Sequence, residues 1–249
     1  MSLYKTKGVV LKTQKLGESD RIITILTNNY GKVSAVAKGV RKTRSKFGSR
    51  LEPFTHVDLV LYKGRNLDIV TQAEIIDSFS EIRENFDRIT YGSAMLDLVN
   101  KVSVEGERDI ALYHLLLRSL KAVSQAKKNF RLLLIAFDIK LMAISGFRPK
   151  LERCVVCEEK PGVKARFSFE QGGIICEECN PSDKDSIVLT PSAIEVLLRL
   201  IKLPLNEVID LSVIARLEDE LYFLMRDYIT YYTQARLKSR EYLSQLIHS

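Results

Sequence analysis

The sequence has no uninterrupted apolar run long enough to cross a bilayer. Its longest apolar stretch, FRLLLIAFDIKLMAISGF, is broken by Asp138 and Lys140, whereas a spanning helix needs about 20 predominantly apolar residues. The first residues, MSLYKTKGVVLKTQKLGESD, contain no apolar core of the signal-peptide kind, which predicts an intracellular, cytoplasmic protein without membrane attachment. Histidine is scarce. His56, His114 and His248 are isolated, and none has a partner at the i+4 spacing of a helical metal site. Phosphate loops and nucleophile elbows are missing too: there is no G-x-x-x-x-G-K-[ST], no G-x-G-x-x-G and no G-x-S-x-G. The close carboxylates Glu18 and Asp20 in LGESDR read as a turn between strands. These absences argue against the common nucleotide and hydrolase sites and predict a protein that is not an enzyme.

Acid is missing from one stretch in particular. Residues 38–50, KGVRKTRSKFGSR, hold six Lys or Arg and no Asp or Glu. The whole chain carries a formal charge of +7, and residues 1–80 contain fourteen basic against seven acidic residues, leaving 24 of each for the remainder. The entire excess therefore sits in the first third, where it favours a polyanionic partner. Lys38, Arg41, Lys42, Arg44, Lys46 and Arg50 are the candidate phosphate contacts. Phe47 offers a ring among them on which an unpaired base could stack. Tyr30 and Tyr62 lie at or beside hairpin turns, and Phe54 reads as core. A second cluster, Lys121, Lys127, Lys128 and Arg131, spans a helix end and the following loop. It reads first as a solvated face, and otherwise as an accessory DNA path or a site for an acidic peptide tail.

Cysteine is limited to four residues, and their arrangement is specific. Cys154, Cys157, Cys176 and Cys179 form C-x2-C-x18-C-x2-C, the spacing of a four-thiolate zinc site. Each close pair can wrap one side of a tetrahedral ion. Four protein ligands leave no open position, so a single structural Zn2+ is expected. The insert of about 30 residues looks too small for a core of its own, which makes the ion its expected support.

The chain reads as an α+β multidomain protein. In residues 1–80, GVVLKT, RIITILT, KVSAVAK, HVDLVLYK and LDIVTQAEI are short, β-branched-rich runs separated by turn signals. Five such strands with one long connection, residues 39–53, suit an OB-type five-stranded β-barrel that binds nucleic acid. The basic residues thus fall on the connection that packing is expected to constrain least. Helical periodicity begins near residue 81: Phe86, Ile89, Met95, Leu96, Val99 and Val102, then Leu112, Leu115, Leu116, Leu120 and Val123, then Leu132, Leu133, Ala136, Phe137, Leu141 and Ile144. Residues 81–150 and 183–249 read as one α-helical domain interrupted by a four-cysteine zinc ribbon at 151–182, with VKARFSF and GGIIC forming a hairpin around QGG. Thr190 before Pro191, with Leu189 and Ile194 as staple, marks a helix start. A final helix from Ser212 carries Ile214, Leu217, Leu221, Leu224 and Tyr228 on one face.

With these residues in view, the chain resembles the RecO family of bacterial DNA-repair proteins. The resemblance rests on LGESDRIITILTNNYGKVSAVAKGVRKTRSKFGSRLEPF and on the order barrel, helices, four-cysteine element, helices. It implies a nucleoid-associated recombination mediator that binds single- and double-stranded DNA and anneals complementary strands. It also implies RecR and the C-terminal tail of single-stranded-DNA-binding protein as partners, with RecA served indirectly through loading onto coated strands. Some family members lack the full cysteine set; here all four are present. The residues alone also admit a zinc-ribbon RNA-binding accessory factor, or a nucleic-acid-processing enzyme such as a nuclease. Competition between single-stranded DNA and RNA, and a cleavage assay with magnesium or manganese, separate these.

Overall fold

The computed structural model describes residues 2–42, 45, 47–179, 186–234 and 237–248, the side chain of His248 excepted. Residues 1–125 and 126–249 form two compact units. The first begins with β1 (Leu3–Leu16), β2 (Asp20–Thr27), β3 (Gly31–Ala37), β4 (His56–Tyr62) and β5 (Asp68–Asp77), closed in the order β1-β2-β3-β5-β4. All pairings are antiparallel except the parallel contact of β3 with β5. This is the expected five-stranded OB-type barrel. Closure depends on the length of β1. Its first half pairs with β4, from Leu3↔Tyr62 to Val9↔His56, and its second half pairs with β2, from Gly8↔Thr27 to Leu16↔Asp20. A bulge between Val10 and Lys12 lies where one partner gives way to the other, the kind of device that bends a strand at a barrel rim.

Alternation sorts side chains to the two faces of the wall. On β3, Val33, Ala35 and Ala37 point inward while Lys32, Ser34 and Val36 are half-buried on the outside. The barrel core joins these to Val10, Ile23, Ile25, Val57, Leu59, Leu61 and Val70. It also includes Val40, Phe47 and Leu51 from the β3–β4 connection. That connection is therefore not free of packing, contrary to the expectation from its composition. Its apolar minority plugs one end of the barrel.

Three helices complete this unit: α1 (Ser80–Arg83), α2 (Phe86–Val102) and α3 (Ile110–Gln125). The Asn85 side chain caps α2 by accepting from the Arg88 N–H. Met95, Leu96 and Val99 are buried as the periodicity implies, but Phe86 and Ile89 in the first turn are exposed. The α2–α3 connection lies against the barrel at Gly31, which has φ of +63°. A Cβ there would meet the Glu107 carbonyl oxygen at 2.0 Å. Glycine is required at this position both for the left-handed backbone and for the close approach.

In the second unit the helices are α4 (Phe130–Ile144), α5 (Pro191–Lys202), α6 (Leu205–Val208), α7 (Ala215–Thr233) and α8 (Lys238–His248). Residues 132–139, Leu141 and Met142 of α4 are all buried, so this helix is hydrophobic all round and central. The two charges that interrupt its apolar run are both satisfied. Asp138 accepts from both terminal nitrogens of Arg240 on α8 at 2.5 Å, and the Lys140 ammonium donates to the Ile201 carbonyl at 2.7 Å. Thr190 caps α5 as predicted, accepting from the Ala193 N–H at 3.1 Å.

Between α4 and α5, β6 (Ala165–Ser168) and β7 (Gly173–Cys176) form the expected hairpin, and β8 (Ile187–Leu189) adds to its free side, giving the order β7-β6-β8. The hairpin shares a core with α7. Phe167 and Tyr228 meet edge to face with centroids 5.2 Å apart. The hydroxyls of Tyr228 and Tyr232 donate to the carbonyls of Phe147 and Phe169. The four-cysteine element thus has an aromatic anchorage that its size did not suggest. Of the final apolar stripe, Leu217, Leu221, Leu224 and Tyr228 are buried, whereas Ile214 precedes the helix and is 72% exposed.

Candidate nucleic-acid interface and metal centre

The β3–β4 connection is tied down at its start, its middle and its end. The Asp20 carboxylate accepts the Gly39 N–H at 2.7 Å and the Ser19 hydroxyl at 2.9 Å. The Gly39 bond, followed by that of Ser19, holds this carboxyl below its usual range. The Arg41 N–H donates to the Ser19 carbonyl at 3.0 Å, and its guanidinium donates to the carbonyls of Glu18 and Gly17 at 2.9 and 3.3 Å. Phe47 and Leu51 anchor the middle. At the far end Arg21 pairs with Glu52 at 2.7 Å. The carboxylates of LGESDR are thereby partly explained: Asp20 clamps the connection against the β1–β2 turn.

What this anchoring leaves outside is positive charge. Lys38, Arg41, Lys42 and Arg50 are exposed. Arg44 and Lys46, predicted phosphate contacts, lie outside the described residues. Phe47 requires a correction: it is 2% exposed, and a ring inside the barrel core has no face to offer a base. Its aromatic character serves packing. Phe54 is 5% exposed, with its ring against Gly92 of α2, in keeping with its reading as core. Tyr62 is half-buried, whereas Tyr30 in the β2–β3 turn is 42% exposed.

The strand β1 contributes cations that sequence reasoning did not single out. Lys5, Lys7, Lys12 and Lys15 are all exposed along it. They run from the β2–β3 end of the barrel to the β1–β2 turn that abuts the basic connection. The available signal was the four lysines within KTKGVVLKTQK, overshadowed by the denser run at 38–50.

In the second cluster, Lys121, Lys127 and Lys128 are exposed. Lys121 belongs to the first unit and the other two to the second. Arg131 is already committed: its guanidinium is ion-paired with Asp219 of α7. This corrects its placement among cations available to an external anion.

The cysteines converge from two segments of the second unit. Residues 150–155 run beside β7 without forming a strand of their own, with the Ile174 N–H donating to the Lys150 carbonyl and the Val155 N–H to the Ile174 carbonyl, both at 2.9 Å. Cys154 lies within this segment, Cys157 ends the turn at residues 155–157, Cys176 ends β7, and Cys179 closes a short 3-10 turn. All four sulfurs lie within 4.8 Å of one another. Cys154 is buried, and although burial raises its thiol, N–H groups from Cys157, Cys176 and Val156 more than offset this and lower it to about 6. Cys179, sharing protons with the thiols of Cys176 and Cys157, is pushed up to about 12. Four negative sulfurs cannot coexist this closely without a cation to neutralise them. The donor set contains sulfur alone, which fits a soft or borderline metal such as zinc.

Among the described residues no helix is long and apolar enough to cross a membrane. Two family models cover most of the chain: one described as recombination protein O N terminal matches residues 1–79, and one described as recombination protein O C terminal matches residues 83–241. The DNA repair protein RecO of Rubrobacter xylanophilus is 40% identical over 209 residues, 83% of this chain and 84% of that protein. That of Thermobifida fusca is 41% identical over 204 residues, 81% and 83% of the two chains. On these matches, which together span nearly the whole chain, this chain belongs to the RecO family.

Proposed function

We propose that this protein is a recombination mediator in DNA repair that grips single- and double-stranded DNA by its barrel. The observation that carries this reading is the division of labour in the β3–β4 connection, where Val40, Phe47 and Leu51 are buried and Lys38, Arg41, Lys42 and Arg50 are exposed. A row of fixed cations neutralises successive phosphates and releases condensed counterions, without regard to sequence. Screening the repulsion between two strands in this way lets complementary segments meet and anneal with no nucleotide consumed and no covalent step. In the cell this activity works with RecR to load RecA onto strands coated with single-stranded-DNA-binding protein, whose acidic C-terminal tail is a further partner.

Cys154, Cys157, Cys176 and Cys179 would hold one zinc ion. With all four positions filled by protein, the metal supplies structural cross-linking and no Lewis-acid site for substrate. The protein purified without chelator is expected to contain one zinc per chain by metal analysis. Absence of metal together with four titratable thiols in the folded protein would refute this.

The DNA reading is tested by salt titration of binding. If about five phosphates are neutralised on a single strand, the slope of log K against log salt is roughly −3.5. Replacing Arg41, Lys42, Arg44 and Lys46 together by Ala should flatten it to roughly −0.7 and weaken all sequences alike. A variant with unchanged affinity and slope would move the DNA site elsewhere.

A further inference from the structure

At the end of the barrel away from the basic connection, the start of β1, the β2–β3 turn and the β4–β5 turn surround a cavity of about 410 Å³. Tyr4 and Tyr30 form one side of it, their rings edge to face with centroids 4.6 Å apart. Tyr4 is fixed in place. Its hydroxyl donates to the carboxylate of Asp68, which is only 4% exposed and also accepts the Gly64 N–H at 3.0 Å. Burial, and then Asp68, raise this hydroxyl well above its usual range, so it stays a neutral donor. The Lys63 ammonium lies 3.5 Å from Asp68 and 6.0 Å from the centroid of the Tyr4 ring.

Tyr30 is presented differently. Its N–H donates to the Thr27 hydroxyl at 3.0 Å, and that hydroxyl donates to the Gly31 carbonyl at 2.8 Å. These bonds brace the turn, yet the ring remains 42% exposed. The far wall is the α2–α3 connection. The Gly106 N–H donates to the Lys32 carbonyl at 3.0 Å, and the Glu105 carboxylate accepts the Ser34 hydroxyl at 2.6 Å. The Lys32 ammonium turns away to the Asn100 carbonyl at 2.8 Å. The cavity therefore combines a fixed aromatic floor, an exposed aromatic face, an amide from Asn66, a carboxylate from Glu105 and a peripheral cation in Lys63.

We infer that this cavity takes one unstacked nucleobase of a single strand, with its face against Tyr30 and its edge toward Asn66 and Glu105. The inference rests on the DNA reading above and names a subsite within it. Aromatic faces accept any base, because each base has a π-face, while an amide and a carboxylate add donors and acceptors for a base edge. Lys63, whose side chain stays 64% exposed despite its long 3.5 Å contact with Asp68, is the lining cation that an adjoining phosphate would meet. The exposed lysines of β1 then continue from this cavity to the basic connection, so a strand with one base seated at Tyr30 has phosphate contacts along the barrel. A paired base cannot enter, because its face is stacked and its edge is used. The cavity thus separates single strands from duplex on a surface whose cations attract both.

The test is equilibrium binding of labelled single strand, duplex and a wholly abasic deoxyribose-phosphate strand to the full chain and to Tyr30→Ala and Tyr30→Phe. Tyr30→Ala is expected to lose about 5- to 150-fold in affinity for the single strand, the range for removing one base–aromatic stack. It should keep the wild-type affinity for duplex and abasic strand and an unchanged salt slope, and Tyr30→Phe should bind like wild type. Equal losses on all three nucleic acids, or no loss on any, would overturn the assignment. So would binding of a free nucleoside monophosphate that Tyr30→Ala abolishes but that does not displace the strand, which would give the cavity to a small ligand. Failure of the wild-type chain to bind any of the three would instead remove the DNA reading itself.

Discussion

Single residues here illustrate how poorly type predicts role. Phe47 lies in a run that holds six Lys or Arg and looks in the sequence like a stacking platform, but its ring is core. Replacing it by Ala should cost about 3–5 kcal/mol of stability, the range for deleting a buried phenyl ring, read as a lowered urea midpoint. A stacking ring would behave in the opposite way, losing single-strand affinity at constant stability. His56 is another residue whose neighbours decide its behaviour. It bonds the Tyr113 hydroxyl at 2.8 Å, and burial, opposed by Asp77 and reinforced by Lys7, lowers its pKa below the ordinary 6.5. The unfolded chain therefore takes up a proton near pH 6.5 that the folded chain refuses until lower pH. Stability from this group is complete above that value and is lost as pH falls from about 6.5 toward the folded pKa. Urea midpoints measured between pH 7 and 5 should fall in wild type and fall less in His56→Gln.

At the scale of elements, the consequential pieces are α4 and the cysteine hairpin. The guanidinium of Arg240 meets both oxygens of Asp138, and both side chains are buried, at 4% and 0% exposure. Removing one partner strands the other charge in an apolar interior, so Asp138→Ala should cost about 3–5 kcal/mol, whereas Asp138→Leu with Arg240→Met should recover much of that loss. Thermal or urea denaturation of the two variants checks the comparison. The hairpin has two sources of order, the proposed metal and its aromatic contact with α7. Chelation is accordingly expected to increase hydrogen exchange first around the cysteine pairs, at residues 150–159 and 176–179, while β6 near Phe167 and Tyr228 stays protected. Uniform loss of protection through β6 and α7 would show that the metal alone carries the element.

For the molecule as a whole, much of the fold was legible because it depends on patterns that are local. Short β-branched runs separated by turn signals indicated the barrel strands, since alternation has a period of two whatever surrounds it. Thr190–Pro191 announced a helix start through groups within one turn of each other. The two C-x2-C pairs indicated a metal centre because ligand spacing reflects the reach of short turns. What stayed hidden depended on distant segments meeting. Nothing near Tyr4 in sequence points to Asp68, nothing near Arg131 to Asp219, and nothing near Gly31 to the carbonyl of Glu107. The charge of residues 38–50 was plain from composition, but which of its members face solvent was not, because closing the barrel required an apolar plug. Composition and periodicity thus determined the kinds of elements and the sign of the field they carry. Tertiary structure decided which side chains are spent on packing and which remain for a ligand, since burial is a property of the closed barrel and not of any stretch of chain within it.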